Sequence, residues 1–224
     1  MTKRTMTPEI IYEDDAVMVV YKPAGMATQT RLVSEMDLEM YLKNHRAQAG
    51  EDNYIGIIQR LDQPVEGVLV VAKTKAAAEN LTKQLREHTL GKHYYALITR
   101  NSLPKSGTLE DYLVKDTQKG RAKVVSSKDP RAKKARLEYE VIRERGGQRL
   151  VDVCLDTGRY HQIRVQFASR TAPLIGDIKY GGISTGHPLC LCGYRTEFVH
   201  PVTQEPMHFE ITPKGEEFVD FFAE

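Results

Sequence analysis

Apolar residues recur along this chain in short runs separated by polar turns, which predicts many strands with a few helices between them. Ile10-Ile11-Tyr12-Glu13 and Val17-Met18-Val19-Val20-Tyr21 read as two strands around an acidic turn. Lys22-Pro23-Ala24-Gly25 ends the second, because proline lacks an amide donor and glycine permits a sharp bend. Ser34, followed three residues later by Asp37, predicts a helix N-cap and a helix running to about Gln48. Ile55–Ile58 and Val68–Ala72 are buried-strand candidates. Thr74 caps a second predicted helix, whose Ala78, Leu81 and Leu85 share one face.

His93–Thr99 reads as a further strand. Residues 135–144 and 149–157 flank Gly146-Gly147 as a hairpin, with Val151, Val153 and Leu155 alternating against polar neighbours. A short helix is predicted from His161 to Ala168, and strands at 189–199 and 207–211. A last helix opens at Thr212-Pro213 and buries Phe218 and Phe222 or their neighbours. Strands outnumber helices and several adjoin directly. The expectation is an α+β fold with a mixed, largely antiparallel central sheet and flanking helices and loops. No Gly/Ser-rich linker cuts the 224 residues, so residues 1–224 are read as a single domain.

A net charge of +2 predicts no partner by itself, but the charge is segregated. Residues 119–136 hold Lys119, Arg121, Lys123, Lys128, Arg131, Lys133, Lys134 and Arg136 against the single acid Asp129. Charge runs are often solvated loops with no partner at all. Three clustered cysteines do not make a disulfide framework. Met1–Glu13 carries no apolar segment of secretory type, and the longest apolar runs are strand-sized. A cytoplasmic location with no membrane partner is the expectation.

Two segments concentrate reactive side chains. In Gln59-Arg60-Leu61-Asp62-Gln63-Pro64-Val65-Glu66-Gly67, Arg60 and Asp62 would project to one side of an extended stretch. A carboxylate kept ionised by a nearby cation suits a nucleophile, although an Arg-x-Asp pair alone is more often a solvated ion pair. In Thr157-Gly158-Arg159-Tyr160-His161-Gln162-Ile163-Arg164-Val165, two arginines, a histidine and a glutamine meet at a strand-to-helix junction that could attract an anion. The blander reading has His161 capping the helix and Arg164 lying over apolar neighbours. His187-Pro188-Leu189-Cys190-Leu191-Cys192 has tighter cysteine spacing than structural zinc sites and no fourth ligand, so it reads as a buried strand.

Taken together, the motifs resemble RluA-type RNA pseudouridine synthases. Arg60-Leu61-Asp62 with Gly67, Gly158-Arg159-x-His161-Gln162-Ile163-Arg164-Val165 and Gly176-Asp177-x-x-Tyr180-Gly181-Gly182 carry the likeness. Tyr12–Gly25, Lys92-His93-Tyr94-Tyr95-Ala96 and Phe198–Thr203 extend it, in family order, from about residue 10 to the end. The resemblance implies the pseudouridine synthase catalytic fold around a central active-site cleft. It implies that Asp62 is the nucleophile, attacking C1′ or C6 of a flipped-out uridine. Arg164 would pair with Asp62, Tyr94 would stack on the base and help remove the C5 proton, and Arg60 would fill the vacated stack. Arg159, His161 and Gln162, with Arg121, Lys123, Arg131, Lys133 and Lys134, would contact RNA, the basic segment as a loop that orders on binding.

The isomerisation breaks an N-glycosidic bond and rejoins the same base through carbon. No electron or group enters or leaves, so the expected cofactor and metal complement is none. Ribosomal or transfer RNA is the expected substrate, and a monomer the expected state. Gln59 stands where the family has His, Gln63–Glu66 depart from its Arg and Thr-Ser-Gly, and Tyr160 replaces a customary Thr. Pro64 and Glu66 are expected to stiffen and acidify the nucleophile loop. Fewer than ten residues precede the first predicted strand, so no S4 RNA-binding domain is expected. The competing readings are a non-catalytic RNA-binding protein that keeps the fold, and a small-molecule hydrolase using Asp62 and His161.

Overall fold

The computed structural model describes residues 7–30, 35–99, 103–182, 186 and 188–223. Strands β1 (Glu9–Glu13) and β2 (Val17–Lys22) come first, then helix α1 (Leu38–Gln48), strands β3 (Gly56–Ile57) and β4 (Glu66–Ala72), and helix α2 (Lys75–Arg86). A run of strands follows: β5 (Gly91–Thr99), β6 (Ser106–Asp116), β7 (Arg121–Val125), β8 (Lys133–Arg145) and β9 (Gln148–Leu155). Helix α3 (Gln162–Ala168), a 3-10 turn at Ile178–Tyr180, strands β10 (Leu191–Val199) and β11 (Pro206–Glu210), and helix α4 (Glu216–Phe222) complete the chain. The fold is α+β, with largely antiparallel strand pairing. The chain forms two compact units, residues 1–91 with 193–212, and residues 92–192 with 213–224.

In the first unit β2 lies between β1 and β4, antiparallel to both. Every residue of β2 and β4 is buried, which is why both read as unbroken apolar runs instead of alternating ones. Val17, Val19, Val68 and Val70 pack with Ala77 and Leu81 of α2, and Phe198 of β10 closes that cluster. Thr74 caps α2 by accepting a bond from the Ala77 amide at 3.1 Å. The cap of α1 is Asp37, whose carboxylate accepts from Met40 N at 2.8 Å, and Ser34 lies outside the described residues. Gly67 has φ +147°, and a Cβ there would sit 2.4 Å from the Gly193 carbonyl. Only glycine lets these two backbones approach so closely.

In the second unit the strand order is β5-β9-β8-β6-β7, antiparallel throughout. Gly146 and Gly147, at φ 57° and 77°, form the two-residue turn between β8 and β9 that their sequence predicts. Phe167 of α3 meets Tyr139 of β8 edge-on at 5.5 Å. Val165 packs on Leu113, Ala122 and Ala135, so α3 covers the β6–β7–β8 face. In α4 the buried pair is Phe218 and Phe221, while Phe222 lies half-buried against the ring of Tyr95 at 5.2 Å.

Two strands escaped sequence reading. Residues 106–116 form β6, and the basic stretch expected as a loop instead forms β7, a turn and the start of β8. In β6 only Leu109, Leu113 and Val114 are buried, too few apolar positions to announce a strand of its length. In β7 only Ala122 points inward, and the flanking cations hide the alternation.

Candidate active site

Asp62 lies half-buried in the segment that leads into β4. The backbone on both sides of it is tied down. Leu61 exchanges two bonds with Thr28 Oγ1, donating its amide at 3.2 Å and accepting from the hydroxyl at 2.9 Å. Gln63 accepts from Gly25 N at 2.8 Å and returns its side-chain amide to Gly25 O at 3.1 Å. Asp62 O accepts from Val65 N at 2.9 Å, closing a turn over Gln63-Pro64. Lys22 is fully buried, and its ammonium donates to Pro23 O, Met26 O and Gln63 O at 3.0, 2.7 and 3.4 Å. Lys22-Pro23-Ala24-Gly25, read from sequence as the end of a strand, is thus the clamp that holds the Asp62 loop.

Burial drives the Lys22 pKa down to about 7, and the carboxylates of Asp62 and Glu66 pull it back up. Lys22 is the cation placed beside Asp62 within the first unit, a role its position in the motif did not announce. Glu66, expected to acidify the loop, acts on it through Lys22. It is buried at the start of β4 and accepts the Tyr21 hydroxyl at 2.6 Å. Arg60, by contrast, is exposed beside the loop.

Tyr94 and Arg164 belong to the second unit. Tyr94 is half-buried on β5, in register with Val153 of β9. Arg164 is buried on α3 and grips Asp177 with two bonds of 2.8 Å, Nε to Oδ2 and Nη2 to Oδ1. This fork fixes the orientation of the guanidinium. Its expected pairing with Asp62 joins residues of different units, whereas Asp177, of the Gly176-Asp177 motif, is its partner within the second.

His161 precedes α3 in a left-handed conformation, φ 53°. It does not cap the helix through its ring. The ring stacks on Tyr160 at 3.8 Å, and Nδ1 lies 2.8 Å from the Tyr180 hydroxyl. That hydroxyl also accepts the Ala122 amide at 2.6 Å, which ties the histidine ring to β7 through one tyrosine. Burial first, then the charges of Arg164 and Lys179, push the His161 pKa down to about 3, with Asp177 opposing. His161 is therefore a neutral residue at physiological pH and no cation for RNA.

Gln162 is committed to the fold: Oε1 accepts from Thr157 Oγ1 at 2.8 Å and Arg159 N at 2.9 Å, and Nε2 donates to Arg136 O at 3.1 Å. Tyr160, where the family has Thr, lies under the Lys115 ammonium at 4.3 Å and bonds Gly120 O at 3.3 Å. Lys179 bonds the same carbonyl at 3.1 Å. Together with the Tyr180–Ala122 bond, these contacts dock the β6–β7 hairpin on the segment that carries Arg164.

The basic patch is narrower than its sequence count. Arg131 pairs with Asp129, Lys134 with Glu110, and Arg136 with Glu138 and Asp156. Among the described residues Arg121, Lys123 and Lys133 have no ion-pair partner, and all three are exposed.

The largely antiparallel α+β fold carries an aspartate on a clamped loop of one unit and a fixed arginine on a short helix of the other. The chain belongs to the RNA pseudouridylate synthase family, whose description matches residues 16–169. It is 35% identical over 79% of its length to ribosomal large subunit pseudouridine synthase D of Nitrosomonas europaea, and 32% identical over 92% to the protein of that name from Neisseria meningitidis. It spans only 50% and 58% of those two relatives. An uncharacterized RNA pseudouridine synthase of Aquifex aeolicus is 35% identical over 90% of this chain and 68% of its own. Human RNA pseudouridylate synthase domain containing 4 shares the fold, with a TM-score of 0.76 at 21% identity over 92% of this chain and 88% of that one.

Proposed function

We propose that this chain isomerises uridine to pseudouridine in RNA, with Asp62 as nucleophile, Arg164 as its cationic partner and Tyr94 against the base. The bond from C1′ to N1 breaks, one from C1′ to C5 forms, and the proton lost from C5 is balanced by one gained at N1. The observation that carries the reading is the Asp62 loop. Its backbone is fixed from both sides by Thr28 and Gly25, as a nucleophile aimed at one atom requires. The names of the relatives support RNA of the large ribosomal subunit as the substrate class. Exposed Arg60 beside the loop suits the space left by an extruded base. Arg121, Lys123 and Lys133 suit the RNA backbone. The reading includes action as a monomer in the cytoplasm, without metal or cofactor.

The test is tritium release from RNA labelled at uridine C5. Release from ribosomal RNA by the wild-type chain is expected, and Asp62→Ala should abolish it. A wild-type chain that releases none from any host RNA overturns the proposal.

A further inference from the structure

Lys92, in the second unit, is only 7% exposed, and no carboxylate is among the groups that shift its pKa. Its charged surroundings are the Cys154 thiol on β9 and the Arg159 guanidinium. Burial lowers its pKa first, Arg159 lowers it further, and Cys154 opposes. A buried ammonium beside a second cation is costly unless an anion joins them.

The way in for such an anion is visible. A Cβ built on Gly158 would come 3.5 Å from Lys92 Nζ, so the ammonium lies against the bare face of that residue. Gly158 is exposed, and so is Arg159 beside it. Arg159 is oriented by its own bonds: its amide to Gln162 Oε1 at 2.9 Å and its Nε to Lys134 O at 2.8 Å. Two cations of different segments thus lie close together beside one exposed glycine.

Strand geometry says which anion. Lys92 and Tyr94 are two residues apart on β5, so both side chains leave the same face of the strand, about 7 Å apart along it. We propose that Lys92 and Arg159 form a phosphate subsite for the RNA nucleotide whose base meets Tyr94. The inference rests on the RNA isomerase reading and deepens it: sugar-phosphate and base are gripped from neighbouring positions of one strand. Lys92 is here a binding residue, acting on the phosphodiester and not on the reacting atoms.

The experiment compares the wild type with Lys92→Met and Lys92→Arg in C5 tritium release across salt concentrations. Lys92→Met should raise KM about tenfold with kcat at saturating RNA nearly unchanged. It should also lower the salt slope of RNA affinity by about 0.7–0.9, one phosphate contact. Lys92→Arg should recover most of both. An active wild type with an unchanged KM and slope in Lys92→Met overturns the subsite, whereas an inactive wild type overturns the isomerase reading instead. If Lys92→Met does not fold, reductive methylation of the wild-type protein decides. RNA should protect Lys92, and equal labelling with and without RNA overturns the proposal.

Discussion

Three residues carry more of the account than their sequence context advertises. Arg164 and Asp177 form a buried, two-pronged ion pair whose side chains are 6% and 0% exposed. Removing one partner strands the other charge, so Asp177→Asn or Arg164→Met should cost about 3–5 kcal/mol, read as a shift in urea midpoint. His161 supplies a pH signature. Its folded pKa, about 3, lies below the ordinary 6.5. The folded chain therefore resists protonation that the unfolded chain accepts, and this contribution is complete above about 6.5 and lost as pH falls toward 3. His161→Asn tolerates the left-handed backbone and does not titrate, so its urea midpoint should decline less than that of the wild type between pH 7 and 4. Equal declines would contradict the assignment of a neutral ring in the folded chain. Neither residue's partner could be read from spacing. Asp177 follows Arg164 through a turn, and Tyr180 reaches His161 only because the 3-10 turn at Ile178–Tyr180 folds back.

At the scale of elements, legibility followed hydrophobic content. The strands β2 and β4, the cap of α2 and the Gly146-Gly147 hairpin were all readable, because burial or a glycine turn marks them unambiguously. The hairpin of β6 and β7 was not. Its strands bury four residues between them, and its stability comes from contacts far away in sequence, through Tyr160, Lys179 and Tyr180. Two predictions belong here. Tyr180→Phe leaves the Ala122 amide without its acceptor, which should cost about 1–3 kcal/mol and speed hydrogen exchange at Ala122. The effect of removing charge should also differ along the basic stretch. Alanine at Arg121, Lys123 or Lys133 should each lower the salt slope of RNA affinity by about 0.7–0.9, while alanine at Arg131, already paired with Asp129, should lower it less. Equal effects at all four would mean that the ion pairs do not matter.

For the whole molecule, the likeness of motifs foretold family and fold, and left the local supports to the structure. Asp62, Tyr94 and Arg164 were named from the motif order. What fixes the Asp62 loop was not: the Lys22 ammonium bonded to three carbonyls, the Thr28 hydroxyl bridging Leu61, and Gly67 pressed on Gly193. Gly67→Ala should therefore destabilise the chain by about 3 kcal/mol, from overpacking and a disallowed φ together. The departures at Gln59 and Tyr160 also diverge in meaning. Tyr160 has work in docking the hairpin, while the side-chain oxygen of Gln59 is buried without a partner among the described residues. The most direct test is mapping of pseudouridines in host RNA after deletion of this chain and its return as wild type or as Asp62→Ala. One or more sites should vanish on deletion, reappear with the wild type and stay absent with Asp62→Ala. Sites restored equally by Asp62→Ala would contradict the account.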